Sequence, residues 1–117
     1  MIFTDSLRKN RDFGNVYRLG KSRANYTVVL YVKENSTDRN RLGISVSRKV
    51  GNSVIRHRVK RLIREAYRLN ESQFMKGYDL VYIARISSKD KNFKEIEKSI
   101  LHIAKKMDVL HKPGEND

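Results

Sequence analysis

The run Leu42-Gly43-Ile44-Ser45-Val46-Ser47-Arg48-Lys49-Val50-Gly51-Asn52-Ser53-Val54-Ile55-Arg56-His57-Arg58-Val59-Lys60-Arg61-Leu62-Ile63-Arg64-Glu65-Ala66-Tyr67-Arg68-Leu69 carries two hydrophobic periods in succession. Over residues 42–49, Leu42, Ile44 and Val46 alternate with small or donor-bearing groups, which is the pattern of a strand with one buried face. The other face, Gly43, Ser45, Ser47 and Lys49, would let a ligand backbone come close. Gly51-Asn52 marks a turn, and Ser53 suits the N-cap of a helix reaching about Leu69. At about 100° per residue, Ile55, Val59, Leu62, Ile63 and Ala66 fall on one side of that helix, and His57, Lys60, Arg61, Arg64 and Arg68 on the other. A strand feeding an amphipathic helix predicts a sheet with helices packed on it.

Working outward, residues 78–85 read as the next strand. Asn92 with Glu95 forms a capping-box start for a last helix, whose stripe is Phe93, Ile96, Ile100, Ile103, Ala104 and Met107. Upstream, Tyr26 to Lys33 is β-branched and aromatic, a strand with Tyr26, Val28, Leu30 and Val32 facing the core and Val29 and Tyr31 facing away. Before it, Asn10 or Asp12 caps a short helix bearing Phe13, Val16 and Tyr17, and Gly20 stands where a left-handed C-terminal cap belongs. These elements predict an α/β (α+β) two-layer sandwich: a small mixed sheet of about four strands and three helices, in the order α-β-β-β-α-β-α. Residues 1–112 are expected to form one domain and 113–117 a flexible tail.

The chain has 117 residues with 26 Lys+Arg against 13 Asp+Glu, a formal charge of +13, so its surface seeks polyanions. Its lack of cysteine excludes a disulfide framework, a thiolate metal site and a cysteine nucleophile. No apolar run is long enough for a membrane span and no signal segment is visible, so a cytoplasmic protein is expected. The charge is concentrated from Arg48 to Arg68, where eight basic residues face the single acid Glu65. Like charges at i,i+4 oppose a helix by roughly 0.2–0.5 kcal/mol per pair, which favours a phosphate partner that neutralises them. Arginine favours bidentate phosphate contacts. The buried side of the helix offers Ile, Val and Ala rather than bulky lipid-seeking groups, and no second helix pairs with it as in a helix-turn-helix, so structured RNA fits best.

Phe13, Tyr17 and Tyr31 would stack bases if the first helix lay beside the outer face of the central strands, with Ser45, Ser47 and Lys49 on the floor. The same spacing also suits a core stripe, and spacing alone does not decide between them. No P-loop, GxSxG, HExxH or Cys/His cluster is present. His102 and His111 lack an acidic partner and are expected on the surface. Glu65 reads as an intrahelical partner of Arg61 or Arg68. No catalytic residue is expected and no residue is assigned to a metal, although Asp and Glu near an RNA phosphate can share an ion without leaving a motif.

The stretch Arg48 to Glu65 closely resembles the signature of the bacterial ribonuclease P protein component, and the Phe13-x-x-x-Tyr17 helix, the strand Leu42 to Ser47 and the strand ending Ile83-Ala84-Arg85 agree with it. One departure is Arg56-His57-Arg58, where the family commonly has Arg-Asn-Arg; imidazole replaces only part of an amide's paired donor and acceptor. The resemblance implies a protein subunit bound to a large catalytic RNA that holds Mg²⁺ and removes the 5′ leader of precursor tRNA, as a monomer in a one-to-one complex. It assigns Arg48, Arg56, His57, Arg58, Lys60, Arg61, Arg64 and Arg68 to the RNA-subunit contact. Phe13, Tyr17, Val29, Tyr31, Ser47 and Lys49 are assigned to the leader cleft. It also implies that the basic helix is a left-handed crossover between parallel strands, a connection that general rules make rare. A ribosomal or ribosome-assembly RNA-binding protein is the alternative, and a protein nuclease acting alone is a further one.

Overall fold

A computed structural model describes residues 1–113. Along the chain lie β1 (Thr4–Ser6), α1 (Asn10–Leu19), β2 (Lys21–Ala24), β3 (Val28–Glu34), β4 (Asn40–Ser45), α2 (Ser53–Asn70), β5 (Tyr78–Ala84) and α3 (Phe93–Lys106), with 3-10 turns at Glu71–Gln73 and Ile86–Asp90. The strands form one mixed sheet in the order β1-β4-β5-β3-β2. β4 and β5 are parallel neighbours connected through α2. β1 adds in parallel to β4, while β3 runs antiparallel to both β5 and β2. The expected α+β sandwich is therefore present, with five strands rather than about four because β1 precedes the first helix. The tail expected at 113–117 lies, from residue 114 on, outside the described residues.

One face of the sheet holds the main core. Val28, Leu30 and Val32 of β3, Leu42 and Ile44 of β4, and Leu80, Tyr82 and Ala84 of β5 meet Val59, Ile63, Ala66 and Tyr67 of α2 and the Ile96, Ile100, Ile103 and Ala104 stripe of α3. Each large side chain buried there contributes about 1.5–3 kcal/mol. Tyr82 is fully buried with its hydroxyl donating to the Ile100 carbonyl at 2.8 Å, and burial pushes its phenol well above the usual range. α3 opens with the expected capping box: Asn92 Oδ1 accepts from the Glu95 amide at 2.9 Å and Glu95 Oε1 accepts from the Asn92 amide at 3.0 Å.

Several local expectations give way to specific contacts. Tyr26 is 76% exposed rather than core-facing. Asn25 Oδ1 takes the amides of Thr27 and Val28 at 3.0 and 2.9 Å, turning the chain so that β3 starts at Val28. β4 stops at Ser45, and Ser47 and Lys49 lie in a turn closed by the Val50 amide on the Ser47 carbonyl at 3.1 Å, which sends Val50 into the core. Asn52, not Ser53, caps α2, accepting from the Ile55 amide at 3.0 Å. Neither Asn10 nor Asp12 caps α1, whose N-cap position is Lys9 without a side-chain bond. Gly20 is extended (φ −85°, ψ 174°), not left-handed. It is required for space, since a Cβ there would stand 2.6 Å from the Val16 carbonyl oxygen and 2.7 Å from that of Val32. His102 is exposed as expected, but His111 is half-buried, its amide bonded to the Gln73 carbonyl at 2.8 Å.

Candidate nucleic-acid interface

Inward packing of Val59, Ile63, Ala66 and Tyr67 turns the opposite side of α2 to solvent. His57, Lys60, Arg61 and Arg64 are exposed there, as is Arg48 in the turn before the helix, and none of their side chains has a hydrogen bond or ion pair among the described residues. The other three predicted contacts are already engaged. Arg56 Nη1 donates to the Gly51 carbonyl at 2.9 Å, and Arg58 Nη2 donates to the Lys91 carbonyl at 2.8 Å. Arg68 is paired with Glu65, its Nε 3.0 Å from Oε2, and this hydrogen bond holds the Glu65 carboxyl below the ordinary range. The ridge thus keeps a set of cations with no internal counter-charge, the arrangement that gains most from an external polyanion.

On the opposite face of the sheet, α1 lies across β5 and β3. Leu7, Val16 and Val81 are buried beneath it, with Phe13, Tyr31 and Ile83 packed around them. Tyr17 and Tyr31 meet edge to face at 5.0 Å between centroids, and Phe13 stands 6.3 Å from Tyr17. Phe13 presses so closely on Gly43 that a Cβ there would be 2.6 Å from its Cε1 atom. Tyr17 remains 38% exposed; burial pushes its phenol up, and the neighbouring Ser45 hydroxyl opposes the rise. The sheet register puts Val29 beside Ile83, and Ser45 on the other side of Ile83. The aromatics are therefore not a closed core stripe. Phe13 and Tyr17 form one wall of a cleft of about 370 Å³ that includes Asn10, Gly14 and Ser45, whereas Tyr31 stands behind Tyr17 and, like Val29, is not among the residues lining it.

Ser47 and Lys49 fall in a second hollow of about 530 Å³, with Tyr26, Val50, Arg85 and Lys89 among its lining residues. Sequence reasoning did not place Tyr26, Arg85 or Lys89 here. Cationic residues just beyond the end of a strand were the available signal. A third hollow of about 500 Å³ contains Arg8, Lys60 and Arg64 together with Phe13 and Ile44, which also line the aromatic cleft. Basic ridge and aromatic cleft share that wall because β1 pairs with β4 no further than Leu42 and leaves the rest of that edge uncovered.

Four further acids are engaged in structural contacts. Asp5 pairs with Arg39, Asp12 and Asp79 with Arg41, and Glu71 accepts the amides of Ile2 and Phe3 at 2.7 and 3.0 Å. Among the described residues no three His or acidic side chains gather as metal ligands. Nor is any helix among them long and apolar enough to cross a membrane. What the surface offers is guanidinium and ammonium groups for phosphates and ring faces for bases.

Fold and surface together define a small basic α+β protein with an exposed cationic helix. Comparison with known proteins specifies it further. A family model described as Ribonuclease P matches residues 3–108. The ribonuclease P protein component of Lachnoclostridium phytofermentans is 55% identical over 109 residues, covering 93% of this chain and 90% of the relative. That of Clostridioides difficile is 53% identical over 107 residues, covering 91% and 94%. The solved RNase P protein of Staphylococcus aureus superposes with a TM-score of 0.84 at 39% identity, covering 91% of this chain and 97% of that one. The Thermotoga maritima RNase P protein gives 0.81 at 34%, covering 87% and 96%. The chain belongs to the ribonuclease P protein family.

Proposed function

We propose that this chain is the protein subunit of a cytoplasmic ribonucleoprotein in which a catalytic RNA, carrying Mg²⁺, removes the 5′ leader of precursor tRNA. The ridge of Arg48, Arg56, His57, Arg58, Lys60, Arg61, Arg64 and Arg68 binds the RNA subunit, one protein monomer to one RNA. Phe13, Tyr17, Val29 and Tyr31 hold the single-stranded leader, which continues over Ser47 and Lys49. The carrying observation is the shared wall at Phe13 and Ile44, which puts unneutralised cations and half-open aromatic rings on one connected surface. Phosphate neutralisation and stacking both give affinity without choosing among bases, as acceptance of many leaders requires. The protein supplies binding and orientation, and the RNA supplies the ion and the cleavage step.

Reconstitution tests the reading. With the ribonuclease P RNA of a clostridial relative, Mg²⁺ is lowered until RNA alone cleaves precursor tRNA slowly. Addition of this protein is expected to restore cleavage, and the protein without RNA is expected to cut nothing. Failure to restore cleavage overturns the proposal, and so does cleavage by the protein alone.

A further inference from the structure

Asp79 of β5 stands opposite Arg41 of β4 in the sheet register and is 1% exposed. Arg41 grips it with two bonds, Nε to Oδ1 at 2.9 Å and Nη2 to Oδ2 at 2.7 Å, and Asn35 Nδ2 adds a third at 3.0 Å. Burial pushes the Asp79 carboxyl up, but the bonds from Arg41 and Asn35 and the charge of Arg41 outweigh it, so the acid stays below its ordinary range. One end of Arg41 is therefore locked into the sheet at neutral pH. Its remaining Nη1 reaches across to Asp12 Oδ2 at 3.3 Å, in the first turn of α1.

That helix needs the hold. It has no side-chain N-cap, and Val16 is its one fully buried residue. Asp12 immediately precedes Phe13, and Tyr17 follows one turn later on the same side. We infer that Arg41, anchored on Asp79, is a positioning residue: by holding Asp12 it sets how close the first turn of α1 lies to the sheet, and so fixes Phe13 and Tyr17 against Ser45 and Tyr31 for gripping the leader. This rests on the leader-cleft reading proposed above. Three acids and bases of the molecule are thereby given a task that the surface ridge does not share. Asp12, Arg41 and Asp79 touch no ligand; they act through the height of one helix.

The test separates this inference from the cleft reading itself. Arg41→Met would leave Asp79 buried without its partner and is expected to destabilise the sheet, so Asp12 is the informative position. Asp12→Ala leaves the Arg41–Asp79 pair intact. In the holoenzyme reconstituted with ribonuclease P RNA, affinity is measured for precursor tRNA with a long leader and with a one-nucleotide leader, alongside Tyr31→Ala. Asp12→Ala is expected to weaken long-leader binding about two- to fivefold, with the short-leader substrate and kcat at saturation unchanged. Asp12→Glu is expected to recover most of the loss. If Tyr31→Ala loses long-leader affinity and Asp12→Ala does not, the tether is wrong and the cleft stands. If neither substitution discriminates leader length, the cleft reading fails and the tether with it. An equal loss for both substrates, or no recovery with Glu, reduces Asp12 to a general structural role and also overturns the inference.

Discussion

On the α2/α3 side of the sheet, Leu30, Leu80 and Tyr82 meet Ile63, Ile96 and Ile100 with all six fully buried, whereas on the α1 side the buried nucleus is Leu7, Val16 and Val81 and the neighbouring aromatics stay partly open. One face is filled to the limit that two long helices allow. The other is covered by a single ten-residue helix seated on one buried side chain. The difference teaches that one face of the same strands carries the stability and, on the proposed function, the other carries recognition: β3 sends Leu30 inward to hold the fold and Tyr31 outward to the more open side. Strand alternation makes this division possible, because adjacent residues serve separate surfaces.

The division breaks most visibly if the full face is emptied. Ile63→Ala should cost about 2–5 kcal/mol in denaturant unfolding, while the RNA affinity of the fraction still folded stays unchanged because the exposed side of α2 is untouched. A loss of intrinsic affinity in that variant would show that the two faces are coupled. On the open face, Tyr31→Ala should leave unfolding less affected and weaken long-leader binding by about 1–3 kcal/mol in a titration, with little effect on a one-nucleotide leader. The smallest and sharpest contrast lies within the ridge itself. Arg61→Ala should reduce the slope of log affinity against log salt by about 1 for the RNA subunit. Arg68→Ala should change it less, since Glu65 already engages that guanidinium. Equal slopes for the two variants would mean that the internal ion pair gives way when RNA binds.

How much of this was legible in the residues follows from how each element is stabilised. α2, α3, β3 and β5 are fixed by large apolar groups at regular spacing, and their patterns locate them to within a few residues. β1 and β2 carry no such pattern. Lys21–Ala24 is exposed at every position and exists because its backbone pairs with β3 on one side, the form that edge strands often take. Thr4–Ser6 is held by polar groups, with Thr4 Oγ1 2.7 Å from the Tyr67 hydroxyl and the Asn40 amide bonded to the Phe3 carbonyl, contacts that join distant parts of the chain. At the site, the cationic side of α2 was readable from side-chain type and period. Which arginines remain unengaged was not, because Arg56 and Arg58 reach carbonyls through rotamers that spacing does not specify. The aromatics left two readings open, core or cleft, and the choice depended on how much of the sheet α1 covers. Strand length misled at Ser47 and Lys49: the alternating pattern continues past Ser45, but the chain turns there to bury Val50.

The hydrogen that serves as the side chain of Gly43 links two positions that sequence distance keeps far apart. With the Phe13 ring resting directly on that α-carbon, the distance between helix and strand at this point is set by the sum of the two groups rather than by either one. Adding a methyl below lifts the ring above, and trimming the ring leaves the floor bare. Descendants of this chain would therefore be expected to change residues 13 and 43 together or keep both, because helix and strand meet there with no space to spare.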